Sequence, residues 1–209
     1  MLYTIGYHLC RWIARTFFAF SVEGQGYVPE SGPVILAPNH VSYLDPVVVG
    51  VAVPRRVHFM AKKELFRNPL IGWFLRALQA YPVTRERVDP STLKRTLSLL
   101  AAGQAVLMFP EGTRGDGRVL RPAKPGIGVV AARSGAVVIP VFHWGAERIL
   151  PRGSRQVRRA RVTVRFGPPL AFPADGRPDR EGVEAFCRDL MEAIATLRPP
   201  AEQPDFVSH

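Results

Sequence analysis

Hydrophobic positions recur along this chain in two rhythms, and the alternation between them predicts its architecture. Residues 1–20, MLYTIGYHLCRWIARTFFAF, follow a helical period. Thr4, His8, Arg11 and Arg15 recur at i, i+4, i+7 and i+11, while Leu2, Ile5, Leu9, Trp12, Ile13, Phe17 and Phe20 fill the opposite side. Beyond them, short apolar runs bounded by turn residues predict strands in FAFSVEG, PVILAPNH, RVHFMAK, QAYPVTR, QAVLMFP, AVVIPVFHWG and ARVTVRFGPPL. Helical stretches separate them. DPVVVGVAV is β-branched and strand-like by propensity, but Asp-Pro is a strong start signal with proline at the first helical position, so a helix is expected. ELFRNPLIGWFLRAL predicts one or two short helices, DPSTLKRTLSLLAAG a helix with a second Asp-Pro start, and GIGVVAARSG a helix closed by Gly135. A last amphipathic helix is expected at about 178–197.

Strands that alternate with helices imply βαβ units. The expected fold is therefore α/β, a single mixed, largely parallel sheet flanked by helices and preceded by an N-terminal amphipathic helical membrane-docking segment. The chain has 209 residues, and neither an internal repeat nor an interdomain linker breaks it. The expected division is 1–20 for the amphipathic segment, 21–198 for the α/β domain and 199–209 for a loose tail.

Composition narrows the partners. With 47% hydrophobic and 22% charged residues the chain is that of a folded protein. Its 28 Lys and Arg against 17 Asp and Glu leave a net charge of +11, which favours nucleic acid, an anionic membrane or phosphorylated substrates. A nucleic-acid module would interleave aromatics on a basic sheet or present a recognition helix; neither pattern is found, and no nucleic-acid partner is expected. Cys10 and Cys187 make neither a disulfide framework nor a metal-ligand spacing, which fits a reducing compartment. Arg11 and Arg15 interrupt the apolar N-terminus, so it lacks the roughly 18 to 20 uncharged residues of a membrane span, and it lacks the order of a secretory signal. A basic stripe opposite an aromatic-rich face suits a helix lying in a membrane interface, or one packed on its own core.

Two stretches carry candidate chemistry. In NHVSYLD, His40 ends a predicted strand and Asp45 stands five residues on, at a helix start. An imidazole can accept a proton at physiological pH, and a carboxylate on its far nitrogen would fix the tautomer and stabilise the cation. Alternatively Asp45 caps the helix and His40 is a turn residue. In FPEGTR, residues 109–114, a strand ends in Gly112, which allows close backbone approach, and Arg114, a planar fork suited to phosphate. Glu111 could accept from a hydroxyl or orient the arginine; a solvated turn is the alternative. Lys124 and Gly126 precede a predicted helix, and Arg85 follows a predicted strand, so further cations gather where anions bind. Ligands of such sheets collect at the carboxyl ends of strands, where His40 and PEGTR both fall. A hydrolase would need an activated serine, and no Gly-x-Ser-x-Gly elbow occurs.

Together these stretches resemble the glycerolipid acyltransferases. Asn39, His40 and Asp45 match the Asn-His-x-x-x-x-Asp block, with Ser42 inside it. YPVTR supplies Arg85 for the second block, and Phe109 to Arg114 match Phe-Pro-Glu-Gly-Thr-Arg without a substitution, followed by Gly115 where serine is common. VIPV at 138–141 matches the fourth, and Lys124 with Gly126 fits a Lys-x-Gly pattern. The resemblance implies transfer of a fatty acyl group from acyl-CoA or acyl carrier protein to the free hydroxyl of lysophosphatidic acid, giving phosphatidic acid. The alternatives within it are glycerol-3-phosphate, a lyso-amino-lipid or another lysophospholipid as acceptor. His40 would be the general base oriented by Asp45; Arg85, Glu111, Gly112, Thr113, Arg114 and Lys124 would bind the substrate. It implies no cofactor and no metal beyond the thioester co-substrate. Its implied partner is an anionic membrane surface, on the cytoplasmic face of the cell membrane.

Overall fold

The computed structural model describes residues 6, 7, 10–12, 14, 16, 18–83, 90–115, 117, 119–151, 154, 156–173 and 179–200. Seven strands form one sheet: β1 (Ala19–Glu23), β2 (Val34–Pro38), β3 (Val57–Lys62), β4 (Ala80–Val83), β5 (Ala105–Leu107), β6 (Val137–Trp144) and β7 (Arg161–Phe166). Their spatial order is β1-β7-β6-β2-β5-β3-β4. Neighbours run parallel except β6 and β7, which pair antiparallel. The helices are α1 (Asp45–Ala52), α2 (Pro69–Ala77), α3 (Pro90–Ala101), α4 (Pro125–Ser134), the short α5 (Ala146–Ile149) and α6 (Arg180–Thr196), with 3-10 turns at Gln25–Tyr27 and Lys63–Arg67.

Both faces of the sheet are covered, which is why its central strands read as unbroken apolar runs. Alternate residues of β2 serve opposite cores. Val34 and Leu36 meet Val49 and Ala52 of α1 on one face, where Leu75 of α2 also packs. Ile35 and Ala37 meet Leu100 of α3, Val130 of α4 and Leu190 of α6 on the other. The Asp-Pro start wins over the β-branched run at α1: Pro46 stands in its first turn and Val48, Val49 and Val51 are buried along its inner side.

Ala19 and Phe20, which fall both in the predicted strand FAFSVEG and at the end of the segment 1–20, stand in β1, where they pair with Arg161 and Val162 of β7. The second strand ends at Pro38 and not at the histidine, since the Asn39 side chain takes over as partner of His143 on β6. After Trp144 the chain forms the short helix α5 before it reaches β7. The described residues between 6 and 16 are helical, and Tyr7 donates its hydroxyl to the carbonyl of Val53 past the end of α1. That side of the N-terminal helix packs on the domain, while Trp12 is exposed. Among the described residues no helix is long and apolar enough to cross a membrane. Residues 1–5 and 201–209, and with them the end of the expected tail, lie outside the described residues.

Gly145 lets β6 turn towards α5 at φ 91°, and a Cβ there would lie 1.9 Å from the carbonyl oxygen of Arg161. Gly145→Ala is therefore expected to cost at least about 1 to 3 kcal/mol, read as a lowered midpoint in urea unfolding. An unchanged midpoint would mean the corner relaxes freely.

Candidate active site

The register of the sheet assembles the site before any side chain is considered. Leu36 of β2 pairs with Leu107 of β5, and the two strands run in the same direction. Their continuations therefore emerge side by side at the carboxyl rim, carrying His40 and Glu111. The main chain joins them there: Gly115 N–H donates to the His40 carbonyl at 2.7 Å, and His40 N–H donates to Glu111 Oε1 at 3.0 Å.

His40 and Asp45 meet because the chain turns between them. A continuous helix would hold residues five apart about 140° from one another, whereas here a strand end, a turn and the first helical residue fold the carboxylate back. Asp45 Oδ2 accepts from His40 Nδ1 at 2.7 Å, from Val41 N–H at 2.7 Å and from Ser42 N–H at 2.8 Å. Asp45 is wholly buried, and Leu44, not Asp45, holds the cap position of α1. The carboxylate thus organises the turn in front of the helix and does not cap it. Because a carboxylate only accepts, the proton of the neutral imidazole sits on Nδ1 and Nε2 carries the lone pair. The ring is also held from its face, stacked on Phe109 with centroids 3.9 Å apart and planes 21° apart. Ser42 Oγ accepts from Leu44 N–H.

Glu111 is buried, and both of its oxygens face main chain, Oε1 the amide of His40 and Oε2 that of Arg121 at 3.1 Å. Its observed contacts therefore anchor the turn to the histidine. Gly112 adopts φ 68°, a conformation that favours glycine, and a Cβ there would displace the exposed Lys124 stem, which lies 2.9 Å away. Lys124 donates its own N–H to the Pro110 carbonyl and stands at the cap of α4 with its side chain exposed. Thr113 Oγ1 accepts from Arg121 Nη1 at 2.9 Å, and the Arg114 guanidinium lies 3.4 Å from the centroid of the exposed Tyr43 ring. Arg114, Arg121 and Lys124 thus give the rim a cationic side next to the imidazole. Arg85 lies outside the described residues.

Glu111→Gln would place an amide donor against one of two N–H groups, that of His40, which is buried, or that of Arg121, which is partly buried. The expected loss is about 1 to 3 kcal/mol, with a fall in turnover as the His40 peptide loosens. Thermal unfolding of the purified variant measures the first and initial rates the second.

Two participants, Arg121 and His143, stand outside the motifs, and the partner of Asn39 is set only by the fold. Arg121 is one of many arginines in the sequence. Asn39 and His143 interlock: Asn39 Nδ2 donates to the His143 carbonyl, His143 N–H donates to Asn39 Oδ1, and His143 Nε2 donates to the Asn39 carbonyl at 3.0 Å. His143 Nε2 also stands 3.6 Å from Asp45 Oδ1. Among the described residues, neither Asp45 Oδ1 nor His143 Nδ1 finds a hydrogen bond. The available signal was a histidine inside the otherwise apolar run AVVIPVFHW, where a buried polar group calls for a partner.

The Acyltransferase family model matches residues 19–144, more than half of the chain, and that span contains His40, Asp45, Phe109 to Arg114 and Lys124. The chain is 32% identical to the 1-acyl-sn-glycerol-3-phosphate acyltransferase of Bacillus subtilis (strain 168), over 84% of this chain and 86% of that protein. It is 35% identical to the chloroplastic 1-acyl-sn-glycerol-3-phosphate acyltransferase LPAT1 of Arabidopsis thaliana, over 68% of this chain but only 40% of the plant protein. Its fold is that of the 1-acyl-sn-glycerophosphate (LPA) acyltransferase PlsC from Thermotoga maritima, with a TM-score of 0.73 and 24% identity over 94% of this chain and 76% of that one. With the family model over most of the sheet and a relative matched nearly end to end, the chain belongs to the Acyltransferase family.

Proposed function

We propose that the protein transfers a fatty acyl group from a thioester, acyl-CoA or acyl carrier protein, to the free hydroxyl of lysophosphatidic acid, producing phosphatidic acid at the cytoplasmic face of the cell membrane. One observation carries the reading: His40 Nδ1 is bound to Asp45 Oδ2 at 2.7 Å, on a rim it shares with the Glu111–Arg114 turn. The names of the Bacillus and plant relatives support the choice of acceptor.

The acceptor hydroxyl gives its proton to His40 Nε2 as its oxygen attacks the thioester carbonyl carbon. Asp45 stabilises the resulting imidazolium through Nδ1. Collapse of the tetrahedral adduct breaks the carbon–sulfur bond, and the thiol leaves with the proton returned by His40. The alcohol is itself the nucleophile, so no acyl-enzyme is needed; positioning and base catalysis together lower the barrier. Arg114 and Lys124, with Arg85 from outside the described residues, bind the acceptor phosphate, helped by Thr113 and the close backbone approach at Gly112. Glu111 contributes by fixing this turn against the His40 peptide.

The test is incubation of purified protein with labelled acyl-CoA or acyl carrier protein and a panel of lysophosphatidic acid, glycerol-3-phosphate, a lyso-amino-lipid and other lysophospholipids. Preferential labelling of lysophosphatidic acid is expected. Preference for another acceptor would reassign the substrate, and release of free fatty acid without any acceptor would make the protein a hydrolase.

A further inference from the structure

Most amphipathic helices of a domain turn their apolar stripe inward; α2 turns one outward as well. Leu70, Ile71, Trp73 and Phe74 are all exposed, Leu70 at 79% and Trp73 at 58%, while Gly72 is buried against the Phe66 carbonyl and Leu75 packs on the core. At about 100° per residue the four outward side chains span an arc of about 160°. Leu65, on the 3-10 turn before α2, is exposed too. Asn68 caps the helix by accepting from Leu70 N–H and Ile71 N–H, so this display is built and not frayed.

Charge and position say what covers it. Lys62, Lys63, Arg67 and Arg76 surround the arc and are exposed, with Glu64 the lone acidic residue between 62 and 76. The register places the turn at the catalytic rim. Phe59 pairs with Leu107, as does Leu36, so Lys62 reaches the level of Pro110 and Asn39. Strand β3 stands two places from β2 in the sheet, about 10 Å at the usual strand spacing. An apolar arc ringed by cations suits an anionic bilayer, whose acyl region takes the side chains and whose phosphates meet the cations.

We propose that α2 and the turn Lys63–Arg67 form a membrane-docking surface that inserts Leu70, Ile71, Trp73 and Phe74 into an anionic lipid leaflet beside the catalytic rim. Docking there complements any contribution of residues 1–20. The inference rests on the reading of the acceptor as a membrane lipid only for its purpose; the surface is tested without turnover.

The parent protein and an Ile71→Ser, Trp73→Ser, Phe74→Ser variant are sedimented with phosphatidylcholine vesicles, with and without phosphatidylglycerol, in the absence of donor. The parent should bind the anionic vesicles and release with rising salt, and the variant should partition at least about tenfold more weakly. In a Trp12→Phe protein, brominated lipid should quench Trp73, with the buried Trp144 as baseline; this reading stands even if the triple variant fails to fold. Activity on a short-chain, monomeric acceptor should persist in the variant. Equal partitioning of parent and variant, or absent quenching, would overturn the proposal. So would a variant that loses self-association but keeps its vesicle binding, since the face would then join two copies of the chain. Vesicle binding as expected with no acylation of lysophosphatidic acid would reject the acceptor and leave the docking surface standing.

Discussion

Replacing His40 with alanine is expected to lower kcat/KM about 10²- to 10⁴-fold, equivalent to about 3 to 5 kcal/mol of transition-state stabilisation. The geometry ties that loss to chemistry and not to folding. Asp45 Oδ2 keeps its bonds to Val41 N–H and Ser42 N–H in the variant, and Glu111 keeps the backbone amide of residue 40, so the turn retains its main-chain frame. Initial rates with labelled thioester and lysophosphatidic acid, beside circular dichroism and thermal unfolding, separate the two. A folded His40→Ala enzyme with parental activity would remove the base.

Asp45→Asn should be nearly as damaging, again by about 10²- to 10⁴-fold. An asparagine that points its oxygen at Nδ1 preserves the tautomer but loses the negative charge that stabilises the imidazolium. One that points its amide there forces the proton to Nε2 and leaves no base. Since the two residues act as a unit, His40→Ala with Asp45→Asn should be no more than about threefold slower than His40→Ala alone. Asp45→Ser provides the contrast. Serine is a good helix starter, so a role limited to beginning α1 would leave this variant active, whereas the carboxylate role predicts a loss like that of asparagine. Multiplying losses in the double variant would mean that the two side chains work separately.

What could be read in advance follows from how local each signal is. Period-two and period-3.6 apolar patterns, together with the Asp-Pro starts, place the helices and strands because each is decided within a few residues. The proximity of PEGTR to His40 was also accessible, since two parallel strands deliver their next residues to one edge. Five-residue spacing could not decide between a cap and a base for Asp45; that depended on the direction of one carboxylate, and only the family resemblance leaned towards the base. The Asn39–His143 pairing was beyond reach because it joins residues 104 apart in sequence and requires β6 to lie against β2. Glu111, a substrate-binding residue by the resemblance, is buried against backbone amides, a setting that depends on two separate loops and so is not written in its own neighbours. The outward face of α2 was hidden by the same rule that found the core, which assigns apolar side chains to the interior.

The interlock between Asn39 and His143 has a thermodynamic corollary. Because the peptide leading into His40 is fastened to the sheet on both sides, by β6 through Asn39 and by Glu111 after β5, its conformational entropy is already lost on folding. Under the proposed mechanism the arriving alcohol would meet a lone pair whose direction is settled, and its binding energy would go to orienting the glycerol and not to ordering the enzyme. Loosening this interlock without touching the imidazole should therefore appear as a more negative activation entropy, with the activation enthalpy little changed.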